Sequence, residues 1–222
     1  MPEPLKVILT GATGMVGEGV LLECLDNPAV AEVLIVTRKP YAGSHPKLKQ
    51  AIAPDFMDLN QIASQLSGYD ACFFCAGVSS VGLSEADYTR ITYDTTLHFA
   101  ETLAPLNPQM TFIYVSGTGT DSSEKGRSMW ARVKGRTENA LTRLPFHAVY
   151  NFRPGFMKAT PGQQHVIRYY FLFAWLYPIL RLVAPNFVST LRDVALAMIH
   201  ATQDGYPKST LEVKDINALA KA

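Results

Sequence analysis

Cysteine is scarce in this chain: three residues, an odd number, among 222. That excludes a disulfide-built scaffold and fits a reducing compartment. Cys72 and Cys75 do form a C-x-x-C within Ala71-Cys72-Phe73-Phe74-Cys75. On a strand, residues three apart face opposite ways, so both are expected in the core rather than at a metal or redox site. An excess of either charge is also missing. The formal net charge is +1, which leaves no electrostatic footprint for a nucleic-acid partner. His45, His98, His147, His165 and His200 lack ligand-like spacing, so no metal is expected. No apolar run reaches the ~20 residues of a membrane span. The stretch that comes nearest, charge-free between Arg168 and Arg181, is shorter and holds Pro178. Met1-Pro2-Glu3-Pro4 leads directly into a strand-like segment with no secretory leader pattern, and a cytoplasmic location is expected.

What is present is apolar and alternating. Hydrophobic residues make up 48% and charged ones 18%, enough for a sizeable core in a single domain spanning 1–222. Short β-branched runs alternate with helical patterns, the signature of parallel β-α-β units. Strands are expected at Leu5–Thr10, Val33–Thr37, near Gln50–Ala53, Ala71–Cys75, Thr111–Val115 and Ala148–Phe152. Helices are expected at about 15–25, 58–67, 84–104 and 128–143, with Pro28 and Pro105 as stops. After Arg153-Pro154-Gly155 the pattern changes. An aromatic helix is expected over about 164–183, then a helix opened by a capping arrangement at Thr190-Leu191-Arg192-Asp193, then a short strand at Thr210–Val213.

The strongest motif is the first turn. The strand ends at Thr10, Gly11, Gly14 and Gly17 follow at G-x-x-G-x-x-G spacing, and a helical pattern begins. Glycine permits the tight turn and lets backbone N–H groups approach a diphosphate, and the helix N-terminus adds partial positive charge. Between a strand and a helix this spacing points to a dinucleotide. Gly11, Thr13, Gly14, Met15, Val16 and Gly17 are expected to hold the pyrophosphate. A site for NAD usually carries an Asp or Glu about 20 residues further on, at the end of the second strand. Here that place holds Thr37-Arg38-Lys39, with no carboxylate. Arg38 and Lys39 suit a 2′-phosphate, so NADP(H) is the expected cofactor. The fold class expected is α/β, a doubly wound parallel (Rossmann) sheet ordered 3-2-1-4-5-6 over residues 5–156. Residues 157–222 are expected to form a small C-terminal helical cap over the substrate end.

Thr10-Gly11-Ala12-Thr13-Gly14-Met15-Val16-Gly17 resembles the signature of extended and atypical short-chain dehydrogenase/reductases, NAD(P)-binding proteins that include epimerase/dehydratase-like members. The likeness is nearest to the atypical branch of the oxidoreductase Tat-interactive protein. Further landmarks follow in order over residues 5–156. Ala53-Pro54-Asp55-Phe56 resembles the segment that contacts adenine, which implies that role for Asp55 and Phe56. Cys75-Ala76-Gly77 resembles the small-residue stretch along the cofactor, and Tyr114-Val115-Ser116 the strand carrying the family's catalytic serine. Arg153-Pro154-Gly155 resembles the loop on the nicotinamide side, which implies cofactor contacts for Ala76, Gly77, Pro154 and Gly155.

The departure is at the catalytic pair. Where the family has Tyr-x-x-x-Lys, this chain has Trp130-Ala131-Arg132-Val133-Lys134, and no Tyr in the chain has Lys four residues later. The resemblance makes Lys134 the residue that holds the nicotinamide ribose, and Lys134-Gly135-Arg136-Thr137-Glu138 resembles the family's continuation. Indole N–H only donates and does not titrate usefully, so Trp130 cannot serve as general acid or base. Two readings stay open. One is an oxidoreductase on a small apolar carbonyl substrate, with Ser116 and Lys134 at the catalytic centre and the proton from Ser116, Thr118, Tyr93 or His165. The other is a catalytically silent protein that reports NADP(H) occupancy to a partner. The aromatic segment over 166–184 suits a pocket wall or subunit contact, with an interfacial helix on lipid as the alternative. The pattern leaves a homodimer open.

Overall fold

The first β-α-β unit assembles because its strands are apolar on both faces. The computed structural model describes residues 3–166, 177–184 and 186–222. In β1 (Leu5–Thr10), Val7, Ile8 and Leu9 are wholly buried, as expected of a parallel strand covered by helices on both sides. Helix α1 (Met15–Asp26) then crosses to β2 (Val30–Thr37), which pairs in parallel with β1, Val7 against Val33. A loop with no helix leads to β3 (Leu48–Ile52). After a short 3-10 helix, Asn60–Gln65, come β4 (Ala71–Phe74), α2 (Glu85–Thr89), a π-helical turn (Arg90–Asp94) and α3 (Thr95–Leu106). They are followed by β5 (Thr111–Val115), α4 (Met129–Leu141), β6 (Ala148–Arg153) and β7 (Phe156–Lys158). The chain closes with α5 (Tyr177–Val183), β8 (Val188–Thr190), α6 (Leu191–Gln203), β9 (Thr210–Glu212) and α7 (Val213–Leu219).

The main sheet has seven strands in the order β3-β2-β1-β4-β5-β6-β9, all paired in parallel. This is the expected doubly wound Rossmann order with one strand, β9, added beside β6. The small parallel pair β7-β8 stands apart from it. One core lies between the sheet and α1 and α6, where Leu21, Phe73, Phe152 and Met198 meet. The other lies under α3 and α4, where Phe74, Phe99, Phe112 and Leu141 meet.

Several expectations need adjustment. The helix expected over 58–67 is only the 3-10 turn, and the one over 84–104 is broken by the π turn. Pro105 does not stop its helix but sits in the last turn of α3. The end is fixed by buried Asn107, whose amide donates to the carbonyls of Leu66 and Leu103 and accepts from the N–H groups of Gly68 and Tyr69. Cys72 is in the core, but β4 ends at Phe74 and leaves Cys75 half-buried. The capping box at Thr190 and Asp193 opens α6 as expected. The aromatic helix expected over 164–183, with its pocket-wall or lipid role over 166–184, lies largely outside the described residues. Its described end is α5. Among the described residues no helix is long and apolar enough to cross a membrane.

Candidate functional site

The carboxyl ends of the central strands carry the glycine turn. Gly11 has φ +76°, and a Cβ there would lie 2.7 Å from the Cys75 backbone. A Cβ on Gly17 would lie 2.1 Å from the Gly11 carbonyl oxygen. Only glycine lets β1, α1 and the chain after β4 approach this closely. The Gly14 N–H donates to Gly11 O at 2.9 Å, and the Thr10 hydroxyl accepts from Ala76 N–H at 3.1 Å, tying the two loops together. Gly14 is the N-cap of α1 and offers no side chain to its first-turn amides. The N–H groups of Met15, Val16 and Gly17 therefore lack a helical acceptor. An uncapped helix start in a cradle that side chains cannot enter fits a diphosphate. Thr13 stands exposed at its rim.

At the end of β2, Thr37 is buried with no hydrogen-bond partner for its hydroxyl, while Arg38 and Lys39 are exposed. After β3, Asp55 lines a cleft with Ile52, Ala53, Pro54, Asp58, Gln61 and Ile62. Phe56 turns inward and packs on Phe99, ring centroids 5.3 Å apart. Asp55 thus presents a side chain to this cleft and Phe56 does not. Ala76 is half-buried and Gly77 exposed, on the loop that Thr10 holds.

The other half of the site rests on α4. Trp130 and Lys134 are one turn apart. The Trp130 ring covers Gly119, lying 3.5 Å from where a Cβ on that glycine would be. Lys134 is half-buried, and its Nζ donates to Ser116 O at 2.5 Å and, at longer range, to Val115 O. Burial pushes the ammonium's pKa down to about 8, against a smaller opposing pull from Glu138. The Ser116 hydroxyl is turned inward. It sits 2.5 Å from Glu138 Oε1, its acceptor, with the Phe152 carbonyl at 3.2 Å. Glu138 is 2% exposed and also takes a two-pronged ion pair from Arg153, through Nε and Nη2. Arg153 in turn reaches Glu212 and Ser122. Pro154 and Gly155 follow directly. Pro154 O accepts from Thr118 N–H, and a Cβ on Gly155 would meet Phe187 O at 2.4 Å.

The remaining proton-donor candidates are tied up or turned away. The Thr118 hydroxyl donates to Arg153 O at 3.1 Å. Tyr93 lies under the Arg136 guanidinium, 4.1 Å from its ring centroid. Arg136 stands about 200° around the helix from Lys134 at 100° per residue. His165 pairs with Glu18, Nδ1 to Oε1 at 3.2 Å. Glu18 was not foreseen as a site residue. Burial raises its pKa, but N–H groups from Gln164 and His165, then the His165 ring, outweigh that and bring it below the usual value. With Gln163, which donates to Met15 O at 2.7 Å, these contacts fasten the 160–165 loop onto the first turn of α1. Glu138 was also missed. Its signal was available, because it lies four residues after Lys134, on the same helix face.

The profile of the NAD dependent epimerase/dehydratase family matches residues 7–127, from β1 to the loop before α4. The chain belongs to that family. As a family member it carries an NAD(P)-binding Rossmann domain, and the glycine turn stands at the carboxyl ends of its central strands. The mitochondrial protein fmp52 of Aspergillus clavatus is 31% identical over 161 residues, 68% of this chain and 65% of that protein. The Emericella nidulans fmp52 is 28% identical over 157 residues, 68% of this chain and 66% of that protein. The chain spans from 52% to 66% of the length of these and one further curated relative. Among solved structures, the Bordetella bronchiseptica enzyme WbmF, determined in complex with NAD+, superposes with TM-score 0.66 at 17% identity, covering 99% of this chain and 77% of that one. The expected cytoplasmic location is overturned by the Fmp52 relatives, which are named as mitochondrial proteins. Free thiols separate reducing from oxidising surroundings, and that was too coarse a guide to the compartment.

Proposed function

We propose that this epimerase/dehydratase-family chain is an NADP(H)-dependent oxidoreductase that acts on a small, mainly apolar carbonyl compound without the usual tyrosine. The observation that carries the reading is the end of β2, where Arg38 and Lys39 stand exposed and no carboxylate takes the place that would accept from a ribose 2′-hydroxyl. The uncapped amides of Met15, Val16 and Gly17 hold the diphosphate. Arg38 and Lys39 select the 2′-phosphate, Asp55 faces the adenine end, and Lys134 holds the nicotinamide ribose. The bound coenzyme supplies hydride chemistry. The chain supplies orientation.

The test is NADPH oxidation by the purified chain across aldehydes, ketones and quinones, paired with direct titration of NADPH and NADH. Turnover of at least one carbonyl class, with preference for NADPH, is expected. Binding with no turnover across the panel would instead favour the occupancy-reporting reading, which the tied-up Ser116 hydroxyl and Trp130 support.

A further inference from the structure

Lys134 is arranged for more than holding a ribose. An ammonium has three N–H donors, and two of them meet the carbonyls of Ser116 and Val115 at the carboxyl end of β5. Among the described residues Lys134 forms no salt bridge, since Glu138, one turn on, is engaged by Ser116 and Arg153. The hydroxyls of Ser116 and Thr118 are bonded within the protein, Tyr93 lies beneath Arg136, and His165 is held by Glu18. The Trp130 indole cannot exchange a proton usefully. Beside the turn Gly117–Thr120, among the described residues, stands the Lys134 ammonium, which donates to Ser116 O.

We propose that Lys134 is the proton donor of the carbonyl reduction, filling the role that Trp130 leaves vacant. This rests on the reductase reading above. In the step the carbonyl π bond breaks. A C–H bond forms with the hydride of the reduced nicotinamide, the reductant, and an O–H bond forms with a proton from Nζ. An alcohol, the oxidised nicotinamide and a neutral amine remain, and the amine regains its proton from solvent. A lysine brought by burial to about 8 can both give and regain a proton near neutral pH. The ionisable groups around it are Glu138 on its own helix, Tyr114 on β5 with its ring centroid 5.9 Å from Nζ, Tyr88 on α2 beyond Tyr114, and Arg153 on β6. Burial raises the Tyr114 and Tyr88 phenols, and Arg153 stays charged, so neither phenol nor Arg153 titrates where Lys134 does.

The experiment follows reduction of 4-nitrobenzaldehyde and a panel of ketones and quinones by the full chain, with NADPH affinity measured separately by its fluorescence. In the wild type, kcat should fall as pH rises through about 8, because the ammonium is the active form. Lys134→Arg keeps the charge and donors but cannot release a proton. It should bind NADPH within about threefold of wild type and lose kcat by about 100-fold or more. Lys134→Cys alkylated with 2-bromoethylamine restores an amine of lower pKa. It should regain turnover with the falling limb moved to lower pH, while wild type treated identically keeps its profile. Lys134→Arg with kcat within tenfold of wild type, or a restored enzyme whose falling limb has not moved, overturns the role of Lys134 and leaves the reductase reading standing. NADPH binding without turnover of any panel member by the wild type overturns the reductase reading, and this role with it.

Discussion

Glu138 shows how far a single buried charge can organise the site. It accepts from Ser116 and from two nitrogens of Arg153, so one carboxylate joins β5, α4 and β6. Removing one partner of such a pair leaves an uncompensated charge and costs about 3–5 kcal/mol. Glu138→Ala is therefore expected to lower unfolding stability by about 3 kcal/mol or more in urea denaturation; a loss under about 1 kcal/mol would show that the pair carries little. Glu18 offers a pH test. Its pKa is lowered on folding, so its stabilisation is complete above the unfolded carboxylate value and disappears as pH falls through the folded one. Glu18→Gln should cost about 1–3 kcal/mol at neutral pH. The gap from wild type should begin to narrow below about 4.3, the ordinary glutamate value, and close as pH falls through the lower folded value; a gap that does not narrow in acid would contradict the assignment. Glu138 was legible only as a neighbour of Lys134 on one helix face, and Glu18 was not legible as a site member at all. Composition and spacing place Glu138 and Glu18 on helices but do not say which way a hydroxyl or a distant loop amide turns. Ser116 was legible as a position and not as an orientation, because Glu138 and Arg153 fix it from other elements.

At the scale of elements, local signals that act over a few residues read correctly. The glycine turn and the capping box at Thr190 and Asp193 both stand where the sequence put them. Gly17→Ala would drive a methyl to within 2.1 Å of Gly11 O, which should sharply lower the melting temperature and abolish nucleotide uptake. Gly68→Ala, in open space at φ +84°, should cost only the left-handed backbone strain of about 1–2 kcal/mol and leave nucleotide uptake intact. Equal effects would mean that the tight approach of β1 and α1 is unimportant. Thr190→Ala removes one half of a capping box and should destabilise by about 1 kcal/mol in thermal unfolding, with nucleotide affinity unchanged. The misread elements were those decided by tertiary contact. The π turn at Arg90–Asp94 packs against α4, and the helix pattern over 58–67 shortens to a 3-10 turn packed beneath β3 by Ile62 and Leu66.

For the whole molecule, the alternation of apolar strands and helices was enough to give the sheet and its order, because each buried parallel strand must be covered on both faces. The seat of β9 beside β6 was not legible, since a three-residue strand carries no address of its own. On the proposed function, a helix start with no side-chain cap and a basic, acid-free end of β2 together select the phosphorylated coenzyme. Calorimetric titration of NADPH and NADH into the same protein, and into the Arg38→Ala/Lys39→Ala variant, tests it most directly. NADPH should bind at least about tenfold more tightly than NADH, a difference of about 1.4 kcal/mol, and the variant should lose most of that difference while keeping its NADH affinity. Equal affinities in the wild type, or no uptake of either coenzyme at about 1 mM, would contradict it.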